Sequence, residues 1–351
     1  MKAEYVVGIV LIGLLGVGLA FLFAPTGAVQ DPTQKFAAQK GTPYVEIAAP
    51  SGFVNTPSTS SGQATPVTIG ELVGKKVILV DFMTYSCINC QRTFPYLVAW
   101  YEKYKDQGLE IVGIHTPEFA FEKDIGNVRE AMKRFGITYP VVLDNDYATW
   151  RAYGNQYWPR KYLIDIRGDI VYDHIGEGAY EETEMKIREL LLERSRLLGE
   201  RSADAGALAA SQMPGTQNAA RSPETYFGSL RNEYLANGQP GRSGEQVFSL
   251  PQNTIRNALY LAGTWKITPE YAESVSNASV FYKYNAKAVY VVAEADTRAE
   301  LEVWQDGVLQ GALLIQESTL YTLIQNGAGG EHELELWVKD GRIRLYAFTF
   351  G

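Results

Sequence analysis

Apolar residues occur in this chain in three textures: one uncharged run from Tyr5 to Phe23, apolar runs mixed with helical periodicity from Val77 to Leu198, and short alternating stretches beyond Tyr260. The first run is longer than the about 7–15 residues of a signal-peptide core and approaches the about 20 that span a bilayer. Residues 1–24 are therefore read as a retained transmembrane helix. The small residues Ala24, Gly27 and Ala28 leave cleavage open. Lys2 and the amino terminus orient the main body outside the cytoplasm. Residues 25–41, rich in Pro, Gly, Gln and Ala, form a tether.

Val77 to Phe82 is apolar and β-branched apart from Asp81, the pattern of a strand covered on both faces. Thr84, Tyr85 and Ser86 make a turn, and a helix runs from Cys87 to about Tyr104, closed by Gly108. Leu109 to His115 is the next strand, so the unit is a right-handed βαβ with parallel strands. A helix over Asn127 to Phe135 ended by Gly136, a strand at Val141 to Leu143, a hairpin of Lys161–Ile166 with Ile170–His174, and a helix over Glu181 to Leu198 complete an α/β domain at 42–198. Tyr44 to Phe53 adds an early strand and Thr68 to Leu72 a helical turn ahead of it. Residues 199–221 lack core-forming side chains and read as a flexible linker. In 222–351 short alternating runs, from Tyr260–Trp265 through Arg342–Phe350 with hairpin turns at Asp306-Gly307 and Asp340-Gly341, predict an all-β antiparallel sandwich.

Composition narrows the function. Hydrophobic content of 46%, charged content of 21% and a net charge of −8 describe a globular protein without the clustered cations that nucleic-acid binding needs. The chemistry centres on Cys87 and Cys90. Cys87 opens a helix, where free N–H groups and the helix dipole favour a thiolate and lower a cysteine pKa from roughly 8.5 toward 3.5–7.5. Cys87 is the expected nucleophile and Cys90, one turn deeper, the resolving thiol. The same spacing serves zinc, but a structural site needs about four Cys or His ligands. With two cysteines and the scattered His115, His174 and His332, no metal and no cofactor beyond the Cys87–Cys90 disulfide are expected. His115 and His174, in or beside strands, read as structural. Asp81, an acid in an apolar strand, should have a raised pKa and exchange a proton with Cys90; the plainer reading is a strand-end residue satisfied by hydrogen bonds.

Asp81 lies six residues before Cys87 and Pro95 five after Cys90, as in thioredoxins. The run Thr84-Tyr85-Ser86-Cys87-Ile88-Asn89-Cys90, then Arg92-Thr93 and the stretch from His115 to Glu122, resembles the soluble part of DipZ-type, TlpA-like thiol-disulfide oxidoreductases, from about Gly41 to the end. The resemblance implies a thioredoxin-like fold followed by a carbohydrate-binding-like, jelly-roll-like sandwich. It implies a cis bond at Pro159 facing the redox pair, and places Glu118 near that pair. Trp158 and Tyr85 are expected to frame the substrate groove. Met83 departs from the family, which usually carries Trp there, so redox poise could shift while the reaction class should not.

The expected activity is exchange of the Cys87/Cys90 dithiol with protein disulfides by a membrane-anchored, extracytoplasmic enzyme. Ile88-Asn89 supplies no cation to hold a thiolate, which favours a reductase or isomerase over a disulfide-forming enzyme. DipZ-type proteins typically carry a polytopic electron-transferring domain ahead of this part. A single apolar span precedes it here, implying a separate membrane electron donor of CcdA-like type. Two alternatives stand. Thr84, three residues before Cys87, resembles peroxiredoxin spacing, although Val80 replaces their proline. Trp265, Tyr271, Trp304 and Trp337 could stack on cell-wall glycan, or simply be core.

Overall fold

Alternate residues of the Val77 run enter different cores: Val77 and Leu79 pack on one side, Ile78, Val80 and Phe82 on the other. Such a strand must lie mid-sheet. The computed structural model describes residues 41–57, 64–201, 206–212, 221–325 and 329–351. The expected anchor and tether at 1–40 lie outside them, and among the described residues no helix is long and apolar enough to cross a membrane.

The first domain has strands β1 (Thr42–Pro43), β2 (Gly52–Val54), β3 (Val77–Met83), β4 (Leu109–His115), β5 (Val141–Leu143), β6 (Arg160–Ile164) and β7 (Asp169–Ile175), in the sheet order β1-β7-β6-β3-β4-β5-β2. β3, β4 and β5 run parallel, whereas β6 and β7 form the expected antiparallel hairpin beside β3. The helices are α1 (Ile69–Leu72), α2 (Ile88–Tyr104), α3 (Ile125–Arg134), α4 (Ala148–Ala152) and α5 (Tyr180–Leu198). Leu97 and Trp100 of α2, Val128 and Met132 of α3 and Ile187 and Leu190 of α5 fill one face of the sheet; Ile69 of α1 and Trp150 of α4 fill the other. This is a thioredoxin-like fold.

Several expectations change in detail. The Tyr44 to Phe53 strand does not form: β1 ends just before Tyr44 and pairs with β7, and β2 begins only at Gly52 and pairs with β5. Pro50, which lacks an N–H, and Ala49 at φ 41° lie between them and break the run. α3 begins two residues early because the Asp124 carboxylate accepts from the Gly126 and Asn127 amides. α5 ends where predicted, on Gly199 at φ 68°. The expected linker is not featureless: the Ala209 and Ala210 amides each donate to the buried Glu184 of α5 at 2.8 Å, pinning that stretch to the redox domain.

The second domain contains β8 (Thr225–Tyr226), β9 (Gly244–Phe248), β10 (Leu259–Ile267), β11 (Ala272–Asn285), β12 (Ala288–Glu294), β13 (Ala299–Gln305), β14 (Val308–Ile315), β15 (Thr319–Gln325), β16 (Glu331–Asp340) and β17 (Arg344–Phe350), all antiparallel. One layer runs β9-β10-β11-β16-β13-β14; β17, β12 and β15 form the other, joined to the first where Ala272 and Glu273 pair with β17. Leu301, Val303, Leu334 and Leu336 meet Val289, Val291, Phe348 and Phe350 in a shared core. Strands β8, β9 and β14 were not expected. β8 is only two residues long, and β9 and β14 lie at sheet edges and expose most of their side chains, so none shows a buried alternating face.

The domains share a third, mixed core. Phe119 and Phe121, following β4, pack on the Tyr346 ring with centroids 5.0 and 4.9 Å apart. Beside them the Glu118 carboxylate meets Arg231 at 2.7 Å and accepts from the Tyr226 hydroxyl at 2.9 Å.

Candidate active site

Cys87 is the N-cap of α2 and half-buried; Cys90, in the helix's first turn, is fully buried, and both thiols are free. Burial pushes the Cys90 thiol well above its ordinary pKa, and its hydrogen bond to Cys87, the Cys87 charge and the Asp81 charge push the same way.

Asp81 lies on β3, with Gly113 of β4 on one side and Lys161 of β6 on the other in direct cross-strand register. Both carboxylate oxygens are buried without a hydrogen-bond partner among the described residues. The plainer reading of Asp81, a strand-end acid satisfied by hydrogen bonds, therefore fails. Burial raises its pKa from 3.8 to about 7, partly offset by the Lys161 charge. Lys161 is itself fully buried, donating from Nζ to the Gly176 carbonyl at 3.1 Å. Burial lowers its pKa, opposed by the charges of Asp81 and Cys90. Sequence reasoning missed Lys161. It lies two residues after Pro159 and next to Arg160 at the start of the strand, where nothing along the chain marks it as buried.

A second missed residue is Glu122. It is fully buried, accepting from the Thr84 hydroxyl, the Ser86 hydroxyl at 2.6 Å and amide at 3.3 Å, and the Glu118 and Phe119 amides at 2.6 and 3.0 Å. Burial raises its pKa against the pull of the Ser86 and Thr84 bonds. The carboxylate thus ties the turn leading into Cys87 to the loop after β4.

The Trp158–Pro159 peptide is cis, and the Gly176 amide donates to the Pro159 carbonyl at 2.8 Å. Trp158 donates from its indole to the Thr116 carbonyl at 3.1 Å and packs on Trp150. Tyr85 does not line an open groove. It is 1% exposed, stacks on His115, and donates its hydroxyl to the Ser318 carbonyl of the sandwich at 3.2 Å. The carboxylate of Glu118 is likewise engaged by Arg231 and Tyr226, at the domain contact. Met83 is buried in the core that holds Cys90. His115 stays neutral down to about pH 3 because of burial.

A Redoxin family model matches residues 29–191, and a model for a thioredoxin-like C-terminal domain matches residues 222–351. Protein DipZ of Mycobacterium tuberculosis is 37% identical over 301 residues, covering 86% of this chain and 41% of that protein. Thiol-disulfide oxidoreductase YkuV of Bacillus subtilis is 31% identical over 127 residues, covering 36% of this chain and 85% of that protein. Thiol-disulfide oxidoreductase ResA of Halalkalibacterium halodurans is 34% identical over 125 residues, covering 36% and 67% respectively. The chain thus spans 41% of the length of the DipZ protein it matches.

Proposed function

Because the chain belongs to the thioredoxin-like thiol-disulfide oxidoreductases, we propose that it reduces disulfides of extracytoplasmic proteins through Cys87 and Cys90, with Asp81 as the proton acceptor for Cys90. The observation that carries this reading is the half-buried Cys87 at a helix N-cap, in hydrogen-bond contact with a buried Cys90 whose neighbour is an unpartnered carboxylate.

The Cys87 thiolate attacks one sulfur of the substrate disulfide, releasing one substrate thiol and forming a mixed disulfide. At that moment Cys87 loses its charge, and its hydrogen bond with Cys90 changes with it. One of the causes that held the Cys90 pKa high disappears. The proton then passes to Asp81, whose pKa of about 7 suits it to take and return a proton near neutrality. Lys161 offsets the charge this leaves in the core. Cys90 attacks Cys87 sulfur, the second substrate thiol departs, and the enzyme holds the disulfide and is two electrons poorer.

Ile88 and Asn89 add no cation between the cysteines; Arg92, just beyond them, is paired with Glu177 at 3.2 Å. That supports a reductase over an oxidant. Anchoring through Tyr5 to Phe23 and recharging by a membrane electron donor complete the reading. The peroxidase alternative loses support because the Thr84 hydroxyl is committed to Glu122.

Insulin reduction by the chain is expected to vanish in Cys87→Ser and to stop at a trapped mixed disulfide in Cys90→Ser. Turnover that survives Cys87→Ser would refute the assignment. A reduction potential near about −270 mV marks a reductase, and one near −120 mV an oxidant.

A second role is favoured by one face of the sandwich. Trp265 is core, and Tyr271 packs on Tyr346 at the domain contact. Trp304 and the 45% exposed Trp337 instead share the outer face of β13 and β16, in register with Glu335 and Glu302. Each indole donates to a glutamate two residues before it, at 3.3 Å. Flat rings edged by carboxylates suit a glycan. The full chain should bind a cell-wall fraction about tenfold more weakly as Trp337→Ala; equal retention of both proteins would remove this role.

A further inference from the structure

Around Cys87 the sandwich occupies ground that a substrate would otherwise use. On one side Tyr85 lies beneath Ser318 of the sandwich, and Thr84 and Ser86 are buried with it. On a second side Arg92, one turn into α2, sets its guanidinium over the Tyr290 ring at 5.8 Å and against Gly351, where a Cβ atom would overlap it. On a third the loop after β4 is held by Tyr346, by the Glu118–Arg231 ion pair and by the Ala120 amide donating to Glu270 at 3.0 Å. The segments left partly exposed are Asn89, Trp158 and the stretch from Gly176 to Gly178, with Tyr157 46% exposed beside them. Arg92–Glu177 and the Gly176–Pro159 hydrogen bond join these into one strip.

Resting on the thiol-disulfide reading above, we propose that the C-terminal sandwich is a fixed wall of the substrate cleft. It admits to Cys87 disulfides carried on slender, extended or unfolded segments laid along Trp158 and the stretch from Gly176 to Gly178, beside the buried Pro159, and shuts out disulfides lying flat on a folded surface. The wall is held in place by contacts remote from the thiols, chiefly the partly buried Glu118–Arg231 pair and the Phe119–Tyr346 packing. Loosening those contacts should change which disulfides react.

The test uses the full chain, reduced and freed of reductant, in single turnovers. One enzyme dithiol and one disulfide give one enzyme disulfide and two thiols. Second-order rate constants are measured with oxidised glutathione and with a folded globular carrier bearing glutathione on one surface cysteine, so that the bond attacked is alike and only the bulk differs. Glu118→Arg sets like charges against each other at the wall, and Phe119→Asp puts a carboxylate into the mixed core. Both are expected to raise the carrier-to-glutathione ratio at least tenfold, and the swap Glu118→Arg with Arg231→Glu to return it to within threefold of the unmodified chain. A ratio unchanged in both single variants, with both exchanges running, overturns the wall. So does a swap that stays with Glu118→Arg. An unmodified chain that exchanges with neither disulfide while Cys87 still alkylates overturns the underlying reading instead.

Discussion

Asp81 and His115 sit on adjacent strands, and burial moves their proton affinities in opposite senses, to about 7 and about 3. The folded Asp81 binds its proton more tightly than the unfolded chain does, so its contribution to stability is full below about pH 4 and is lost as pH rises toward 7. His115 binds its proton less tightly when folded, so its contribution is full above about pH 6.5 and is lost as pH falls toward 3. Each slope is at most about 1.4 kcal/mol per pH unit, and between about pH 4 and 6.5 the two oppose. Compared by urea unfolding across that window, Asp81→Asn should therefore lose stability toward the acid side more steeply than the original chain, because the opposing Asp81 slope is gone. A variant with the same pH slope as the original would contradict this account. At this scale the sequence was informative where a residue broke a pattern: Asp81 stood out in an apolar strand, and the cysteine pair needed only its spacing. Lys161 and Glu122 did not stand out, because a lysine near a turn and a glutamate in a loop are ordinarily solvated. Only the Asp81–Lys161 register and the meeting of two loops at Glu122 show them to be buried.

Among elements, the join between the turn before α2 and the loop after β4 rests on one carboxylate. Glu122→Ala would leave the Thr84 and Ser86 hydroxyls and the Glu118 and Phe119 amides without their acceptor. Stranding buried donors in this way should cost on the order of 3–5 kcal/mol in chemical denaturation, with Glu122→Gln losing less. A loss below about 1 kcal/mol would show that the turn is held by other contacts. The strands and helices themselves were largely readable, since β4 and β5 lie where hydrophobic runs put them and α5 ends on its glycine. Those misjudged lack a periodic signal. β9 and β14 are exposed edges, and the start of α3 is set by the Asp124 side chain rather than by any apolar position.

For the molecule as a whole, the two architectures were legible because their patterns differ, one mixing strands with helical periodicity and one purely alternating. Their docking was not. Phe119, Tyr346 and Tyr226 each read as ordinary interior residues of their own domain, and nothing along the chain tells that the three meet in one cluster. For the same reason Tyr85 looked like a groove residue until the sandwich was seen to cover it. On the proposed reading, the covering leaves the Cys87 sulfur to be approached between two domains. The difference in cover between the chain's two sulfhydryls has a practical side as well. A bulky maleimide should add once to each intact molecule and twice to one that has opened, so weighing the labelled protein counts the opened fraction without any optical probe.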